Sequence, residues 1–405
     1  MSLFTGYVVL AVLAGLCPRS LAAQPTAPVV GKPPRIVAHY MPWYVAKPFS
    51  AVWGWHWTMG SFDPDGKKGG PATVASHYRP LIGPYDSGDP DVLEYHTLLM
   101  KLAGIDGVVI DWYGTVDYLD YALNHRNCAS FIEQATNIGL EFAICYEDQT
   151  IPKLVAAGRL EAGKRVEHAR RELTWVRENW YAKNCYLKFG GRPILLSFGQ
   201  DGLSDSEWGQ LVHGGPGAFI YLSEHTRRQA AAGAFDWPIP RIGPKAQVEF
   251  NEKATYWPAG MAVAYPRFHD IYEQAKVHPS WGKIDDDHGK TFVATLEKAI
   301  RSGVPFVQIS TWNDWGEGTM IEPSVEFGYR DLEVVQRLRR QLVEPSFAGN
   351  GEDLRLPRRL YDLRKTAKSR SIEALEMDQV AQLLGKCSTT AAREKLDALE
   401  RRRVR

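Results

Sequence analysis

The residues best suited to chemistry lie in the segment "STWNDWGEGTMIEPS", residues 310–324. It places two carboxylates, Asp314 and Glu317, three residues apart after the apolar run "VPFVQIS". Three residues of extended chain span at most about 10 Å, so both carboxylates can face one bond. Hydrolysis of a glycosidic bond needs one carboxyl group that holds a proton and another that is charged. The pair therefore fits glycoside hydrolysis.

The neighbours of the two acids strengthen this interpretation. Trp312 and Trp315 interleave with them, and apolar rings would raise the pKa of one acid, as an acid catalyst requires. The alternative is an ordinary surface pair on a helix. The stretch "WNDWGEG" disfavours that alternative because it contains two glycines and several poor helix formers.

The elements that must position these acids follow from the apolar runs. Seven runs, mostly rich in β-branched residues, recur along the chain with helical patterns between several of them, and an eighth strand is expected near residues 234–239. Strands that alternate with helices predict a (β/α)8 TIM barrel, and no glycine-rich dinucleotide fingerprint follows the first strand. The runs are "IVAHYM" (36–41), "GVVIDW" (107–112), "FAICY" (142–146), "ILLSF" (194–198), "FIYLS" (219–223), "MAVAY" (261–265) and "FVQIS" (306–310).

Aromatic and acidic residues concentrate just after these runs. Active sites of such barrels lie at the carboxyl ends of the strands, so these residues are predicted to line a cleft that binds substrate. The candidates are Tyr40, Trp43, Tyr44, Trp55, His56, Trp57, Asp111, Trp112, Tyr113, Tyr146, Glu147, Trp312, Asn313, Trp315 and Glu322.

Several candidates have a second interpretation. Tyr40, Trp43 and Tyr44 either line a sugar pocket or belong to the core, and Pro42 between them favours the pocket. Asp111 and Glu147 either bind hydroxyls and orient the catalytic pair or form an ion pair beneath the loops.

The remaining candidates lie in loops. The glycine-bounded segment Trp55–Trp57 is predicted to be a platform for a sugar ring. Asn313 is expected to bond a sugar hydroxyl or to hold Glu317. Glu322 either supports the site from behind or faces solvent.

Composition narrows the class of partner. The chain has 405 residues, and its 48 Lys+Arg nearly balance 47 Asp+Glu, which argues against nucleic acid. Thirteen Trp and eighteen Tyr suit a ligand that is half apolar and half hydroxylated, such as an oligo- or polysaccharide. Four cysteines beyond the N-terminal segment form no ligand set, so we predict free thiols, no metal and no cofactor.

The ends of the chain differ from the barrel in composition. Residues 1–23 resemble a signal peptide, which predicts a secreted or periplasmic protein with no membrane span after cleavage. Residues 24–34 form a Pro-rich linker, and 35–345 the catalytic barrel. Residues 346–405 are predicted to form a short, charged helical extension, which is either an appendage packed on the barrel or a loose tail.

Several segments resemble motifs of glycoside hydrolase family 99, the endo-α-mannosidases. The opening "WND" and its spacing to Glu317 are also similar to the α-1,3-glucanases of family 71, so the chain is identified as 71/99-like over about residues 36–330. The segments are "HYMPWY" (39–44), "GWHW" (54–57), "GPYDSGDPDVLEYH" (83–96), "AGIDGVVIDWYG" (103–114) and "WNDWGEGTMIEP" (312–323).

This resemblance implies a metal-free barrel hydrolase that cleaves α-linked mannan- or glucan-type glycans internally. By the family pattern, Asp314 deprotonates the 2-hydroxyl of the sugar, giving a 1,2-anhydro sugar and net retention, and Glu317 protonates the leaving group. The family has Glu at the position of Asp314, so an inverting attack by water, with Asp314 as base, is the alternative. The family also has His where Gly316 stands, which predicts a roomier cleft on the leaving-group side.

Two other functions stay open at this point. One is a catalytically inactive barrel that binds carbohydrate, because the first acid is altered. The other is a glycosyl-transferring enzyme of surface-polysaccharide assembly. The signal peptide favours the hydrolase and the binding barrel, since transfer from nucleotide sugars is usually cytoplasmic.

Overall fold

Eight parallel strands form a closed barrel in the computed structural model, which describes residues 33–66, 72–214, 218–367 and 372–404. The order around the barrel is β3, β2, β1, β8, β7, β6, β5 and β4, and pairing of β4 with β3 closes it. The (β/α)8 prediction is confirmed, including the eighth strand. The strands are β1 (Arg35–Tyr40), β2 (Gly107–Trp112), β3 (Glu141–Tyr146), β4 (Arg192–Ser197), β5 (Ile220–Glu224), β6 (Gly233–Phe235), β7 (Met261–Ala264) and β8 (Phe306–Ile309).

Helices surround the barrel and continue into the C-terminal part of the chain. They are α1 (Trp55–Thr58), α2 (Pro90–Ala103), α3 (Tyr121–Ile138), α4 (Thr150–Ala156), α5 (Arg165–Asn179), α6 (Asp205–Gly214), α7 (Pro244–Ala254), α8 (Lys290–Arg301), α9 (Arg330–Leu342), α10 (Leu356–Thr366), α11 (Ile372–Gly385) and α12 (Thr389–Val404).

Local sequence explains the best-defined helix boundaries. Helix α2 begins after Asp89, whose side chain accepts a hydrogen bond from the backbone N–H of Asp91, and Pro90 occupies the first turn. The helix ends at Gly104, whose φ of 81° lies in the left-handed region that glycine tolerates. These signals fix where the chain turns back towards β2.

The C-terminal helices pack on the barrel's outer layer. Helices α10, α11 and α12 contact one another, and α10 and α11 also contact α2. Arg364 of α10 forms a 2.9 Å ion pair with Glu94 of α2. The helical extension therefore packs against the barrel instead of hanging loose. Residues 1–32, which include the predicted signal peptide and most of the linker, lie outside the described residues.

A short antiparallel hairpin interrupts the connection from β7 to α8. Its two strands are Phe268–His269 and Lys283–Ile284. Another two-residue strand, Lys188–Phe189, pairs antiparallel with β4. Of the helices in the described ranges, none is long and apolar enough to cross a membrane. The four cysteines of the described residues are free thiols, as predicted.

Candidate active site

Side-chain alternation along the strands decides which residues reach the barrel lumen. Val37, Val109 and Ala143 pack together inside the barrel. Because successive strand residues face opposite sides, His39 of β1 and Asp111 of β2 face the same lumen nearer the carboxyl ends of the strands. This end of the lumen is where the acids collect.

Asp314 and Glu317 lie on one compact turn that follows β8. The backbone N–H of Asp314 donates to the Thr311 hydroxyl at 2.7 Å, and the backbone N–H of Glu317 donates to Oδ1 of Asp314 at 3.0 Å. Asp314 is 4% exposed and Glu317 is partly buried. The turn therefore fixes the two acids relative to each other.

The two carboxyl groups experience different electrostatic surroundings. Burial raises the pKa of Asp314 to about 6, although hydrogen bonds from the N–H groups of Glu317 and Gly316 oppose the shift. Burial raises the pKa of Glu317 well above its usual range, and the nearby charge of Asp314 adds to the effect. The indole of Trp237 donates to Oε2 of Glu317 at 2.9 Å. This arrangement stabilises the charge on Asp314 and favours the protonated form of Glu317.

A second acid pair faces the same lumen. Burial raises the pKa of Asp111 well above its usual range, and the charges of Glu147 and Asp314 raise it further. Burial also raises the pKa of Glu147 to about 7, against the charge of Lys153. A hydrogen bond joins Asp111 to Glu147 and favours the proton on Asp111. The two acids therefore interact with each other, and their binding of substrate hydroxyls stays a prediction.

Asn313 ties the β8 turn to the loop after β1. Its Oδ1 accepts from the backbone N–H of Met41 at 2.8 Å, and its amide donates to the Met41 carbonyl at 2.9 Å and to the Tyr85 hydroxyl at 3.0 Å. The Tyr44 hydroxyl donates to the Asn313 carbonyl at 3.0 Å and accepts from the N–H of Trp315. Asn313 and Tyr44 are buried, and these bonds position the turn; their contact with substrate stays a prediction.

Glu322 and Trp315 belong to the same buried network. Glu322 accepts from the Tyr85 hydroxyl at 2.8 Å and from the Trp315 indole at 3.2 Å, and lies 3.0 Å from Nε2 of His96. With Glu322 only 2% exposed, the solvent-facing alternative is wrong, and Glu322 supports the turn from behind. Contact of Glu322 and Trp315 with substrate stays a prediction. Tyr85, the centre of this network, was missed because nothing in the spacing of "GPYD" marks its ring as buried.

Five other residues predicted to contact substrate lie in the packed interior. Because alternate strand residues face opposite sides, Tyr40, Trp112 and Tyr146 point out of the lumen and pack with the surrounding helices. Trp312 belongs to the same outer cluster. Trp57 is completely buried, and its indole donates to the Tyr85 carbonyl at 2.7 Å.

The other predicted aromatics do lie together, at the rim. The ring of Trp43 stacks on that of His56, with centroids 4.3 Å apart, and lies 6.1 Å from that of Tyr113. Nε2 of His56 is 3.4 Å from a carboxylate oxygen of Asp120. Trp55 is 50% exposed and meets the edge of His56. Burial raises the pKa of Tyr113 well above its usual range, and the nearby charges of Glu147 and Asp111 add to the shift.

The space beside Gly316 is filled from other loops. A Cβ atom at this position would lie 3.0 Å from the Met59 methyl carbon and 3.9 Å from the Tyr272 hydroxyl. The prediction of a roomier cleft is therefore wrong at this position. Tyr272 and Trp237 were both missed by the sequence analysis. Trp237 follows β6 directly, so the rule that searches strand ends could have found it.

One group of side chains in the described residues could hold a metal ion. Ligand atoms of His39, Asp111 and Cys145 all lie within 4.8 Å of one another in the lumen. Burial lowers the pKa of His39 to about 3, so its ring is neutral, and both ring nitrogens are buried without a well-placed hydrogen-bond partner among the described residues. Such N, S and O donors suit Zn²⁺, whereas the sequence predicts no metal.

Comparison with known proteins places the chain in a family. No family model matches it. The Homo sapiens "Glycoprotein endo-alpha-1,2-mannosidase-like protein" is 35% identical over 325 residues, 72% of this chain and 66% of that protein. The protein of the same name from Danio rerio is 33% identical over 301 residues, 67% of this chain and 65% of its own length. The chain thus spans about two thirds of the length of these curated relatives.

Solved structures agree on the fold. The GH99 endo-alpha-mannosidase from Bacteroides thetaiotaomicron superposes with a TM-score of 0.59 at 16% identity, covering 80% of this chain and 98% of that structure. A "Glycoside hydrolase-like protein" superposes with a TM-score of 0.53 at 12% identity, covering 78% of this chain and 97% of that structure. The sequence relatives and the shared barrel confirm the resemblance to family 99, and the chain is a glycoside hydrolase family 99-like protein.

Proposed function

We propose that the protein hydrolyses α-linked, mannose-containing glycans at internal bonds, with Asp314 as base and Glu317 as general acid. Membership of the family supports a glycoside hydrolase, and the names of the relatives in man and zebrafish support mannose as the sugar. The acids, the enclosed turn that carries them and the aromatic rim supply the groups that such a reaction uses.

The single observation that carries the proposal is the asymmetry of the two carboxyl groups. Two backbone N–H groups stabilise the charge on Asp314, whereas burial and that charge keep Glu317 protonated. Two neighbouring acids whose pKa values are pushed apart are the usual basis for assigning base and acid. The structure of the turn therefore favours Asp314 as proton acceptor and Glu317 as proton donor.

The proton and bond changes balance in two versions of the reaction. In one, Asp314 takes the proton of the sugar 2-hydroxyl, the 2-oxygen attacks the anomeric carbon, and Glu317 gives its proton to the departing oxygen; water then opens the anhydro ring with net retention. In the other, Asp314 takes a proton from water, which attacks the anomeric carbon with inversion while Glu317 again gives its proton to the departing oxygen. Analysis of the first anomer released, by NMR, distinguishes them.

The test is cleavage of purified α-manno-oligosaccharides, with α-glucans as the comparison panel. We expect oligosaccharide products from the α-mannosyl substrates and loss of cleavage, with binding preserved, in Glu317→Gln. Unchanged turnover in that variant would remove Glu317 from the mechanism. Binding without cleavage by the unaltered protein would instead indicate the inactive, carbohydrate-binding barrel.

Export from the cytoplasm completes the proposal. It depends on the predicted signal peptide, residues 1–23, which lie outside the described residues. Intact-mass measurement of the protein recovered from its native host would show a mature chain that begins near residue 24. A full-length chain in the cytoplasmic fraction would contradict export and leave the catalytic proposal standing.

A further inference from the structure

The connection between β7 and α8 forms a rigid projection beside the catalytic turn. We define residues 268–284 as the aromatic arm. Asp270, 5% exposed, organises it by accepting hydrogen bonds from the backbone N–H of Trp281 at 2.8 Å and the Ser280 hydroxyl at 3.0 Å. The paired strands Phe268–His269 and Lys283–Ile284 close its base. The arm is therefore held in one shape by its own side chains.

The arm is also bonded directly to the turn that carries the acids. The backbone N–H of His269 donates to the Glu317 carbonyl at 2.8 Å, and that of Ile271 donates to the Gly316 carbonyl at 2.9 Å. On its other side, the Ser61 hydroxyl donates to the Ala275 carbonyl at 2.6 Å. The arm thus has a fixed position relative to Glu317.

Three rings of the arm form a series that runs from the acids to the surface. The Tyr272 phenol lies next to Gly316, and its pKa is raised well above the usual range by burial and then by the charges of Glu317 and Asp314. Its ring centroid is 4.5 Å from that of His278, which is 4.9 Å from that of Trp281. Tyr272 and His278 are partly buried, and Trp281 is 51% exposed.

We propose that the aromatic arm is a binding subsite for the sugar that follows the cleaved bond, with Trp281 as its stacking surface. The exposed ring of Trp281 offers a flat apolar face, which suits the apolar side of a sugar ring. Because Asp270 and the β8 turn already hold the arm in place, binding a sugar there requires little ordering of the protein.

The side of the cleft follows from the role of Glu317, so this inference rests on the proposed function. Glu317 gives its proton to the oxygen of the leaving group, and the arm is bonded to the backbone of Gly316 and Glu317 themselves. The sugar that departs must therefore lie on the side of the arm. Trp43, Trp55 and His56 form a separate aromatic group on the loop after β1.

The experiment compares two substrates that differ only on the leaving-group side. One is α-1,2-mannotetraose, whose leaving group is a sugar. The other is an α-mannobiosyl fluoride, whose leaving group is a single fluoride ion. In Trp281→Ala we expect KM for the tetraose to rise about tenfold with kcat little changed. The reason is that the Trp281 ring stacks on the sugar equally well in the bound substrate and in the transition state. The kinetic constants for the fluoride should stay within a factor of two of the unaltered values.

Two further variants control for folding and for exposed aromatics in general. Trp281→Phe retains a flat ring and should recover most of the affinity. Tyr256, 79% exposed, follows α7 at the opposite end of the barrel, and Tyr256→Ala should change nothing. An equal change for both substrates in Trp281→Ala, or no change for either, would overturn the subsite.

Binding separates a failure of this inference from a failure of the proposed function. Calorimetric titration of Glu317→Gln with the tetraose, with and without Trp281→Ala, tests the arm even if the protein cleaves nothing. Binding that weakens about tenfold when Trp281 is removed supports the subsite. Equal affinity, or no binding of the tetraose to Glu317→Gln, would overturn it, whereas cleavage with an intact KM in Trp281→Ala would leave the proposed function in place.

Discussion

Two acid pairs face the same end of the barrel, and their surroundings differ in one respect. Asp314 accepts hydrogen bonds from the backbone N–H groups of its own turn, so that its charge is stabilised although it is buried. Asp111 has no such donors; one of its carboxylate oxygens is buried without a hydrogen-bond partner in the described part of the chain. Its hydrogen bond runs to another acid, Glu147, and favours its protonated form.

The comparison shows that burial alone does not define a catalytic base. Both Asp side chains are almost fully enclosed, and burial is the largest cause of the raised pKa in each. The backbone donors of the β8 turn keep Asp314 ionisable near neutral pH, whereas the hydrogen bond to Glu147 favours the protonated form of Asp111. We therefore expect the first pair to perform the chemistry and the second to tolerate neutral substitution.

The largest effect is expected for Asp314→Asn. Loss of the base should lower kcat/KM by about 10²–10⁴-fold for α-mannotetraose and α-mannobiosyl fluoride alike, because both substrates need the proton removed. Steady-state kinetics on both substrates measure this. Full activity on the fluoride would show that Asp314 is not the base.

A comparable but selective loss is expected for Glu317→Gln. An oligosaccharide leaving group must be protonated, so its cleavage should fall by about 10²–10⁴-fold, whereas fluoride leaves without a general acid and its release should fall much less. The two substitutions together form the control, since each removes a different proton transfer. Equal losses on both substrates in both variants would contradict the separate roles.

The pH dependence of kcat/KM should have two limbs, one for each carboxyl group. With the pKa of Asp314 near 6, kcat/KM should fall about tenfold per pH unit below that value as the base becomes protonated. The alkaline limb should reflect loss of the proton from Glu317, whose pKa is raised well above its usual range. A profile that stays flat from pH 7 down to pH 5 would contradict the assignment of Asp314.

The pH dependence of stability should show the ionisation of Asp314. Because the folded pKa of Asp314 lies above its ordinary 3.8, the wild type loses stability as pH rises through about 6. Asp314→Asn avoids this loss and should gain on the order of 1–3 kcal/mol at pH 8 but not below pH 4, whether measured by urea or thermal unfolding. An equal stability at both pH values would contradict ionisation of the buried carboxyl.

The smallest effect is expected for Asp111→Asn. An amide donates a hydrogen bond to Glu147 as the protonated carboxyl does, so kcat/KM should change by less than about tenfold. A loss as large as that of Asp314→Asn would show that Asp111 is charged in the working enzyme, and the contrast between the pairs would fail.

The periodicity of the sequence was sufficient to predict the strands of the barrel, but it did not show which of their residues face the lumen. The apolar runs and their spacing predict all eight strands, because a strand buried on both faces is apolar throughout. The same property hides which side of the strand each residue faces. Trp112 was therefore predicted to contact substrate together with its neighbour Asp111, although adjacent residues of a strand face opposite sides.

Contributions from distant loops escaped prediction altogether. Tyr85 connects the turn after β8 with Glu322, and Trp237 donates to Glu317, from segments separated in sequence by more than two hundred and by eighty residues respectively. No local pattern encodes such contacts, since they depend on how the loops fold over the strand ends. The pair Asp314 and Glu317 could be selected from sequence because both acids lie on one short segment.

The most direct test of the account is a carboxyl ¹³C NMR titration of the protein labelled at Asp and Glu, with Asp314→Asn and Glu317→Gln used to assign the two signals. The account predicts that Asp314 titrates near pH 6 and that Glu317 titrates above it, so that one is charged and the other protonated at neutral pH. If Glu317 instead loses its proton before Asp314, or if both titrate below pH 5, the proposed division of roles is contradicted.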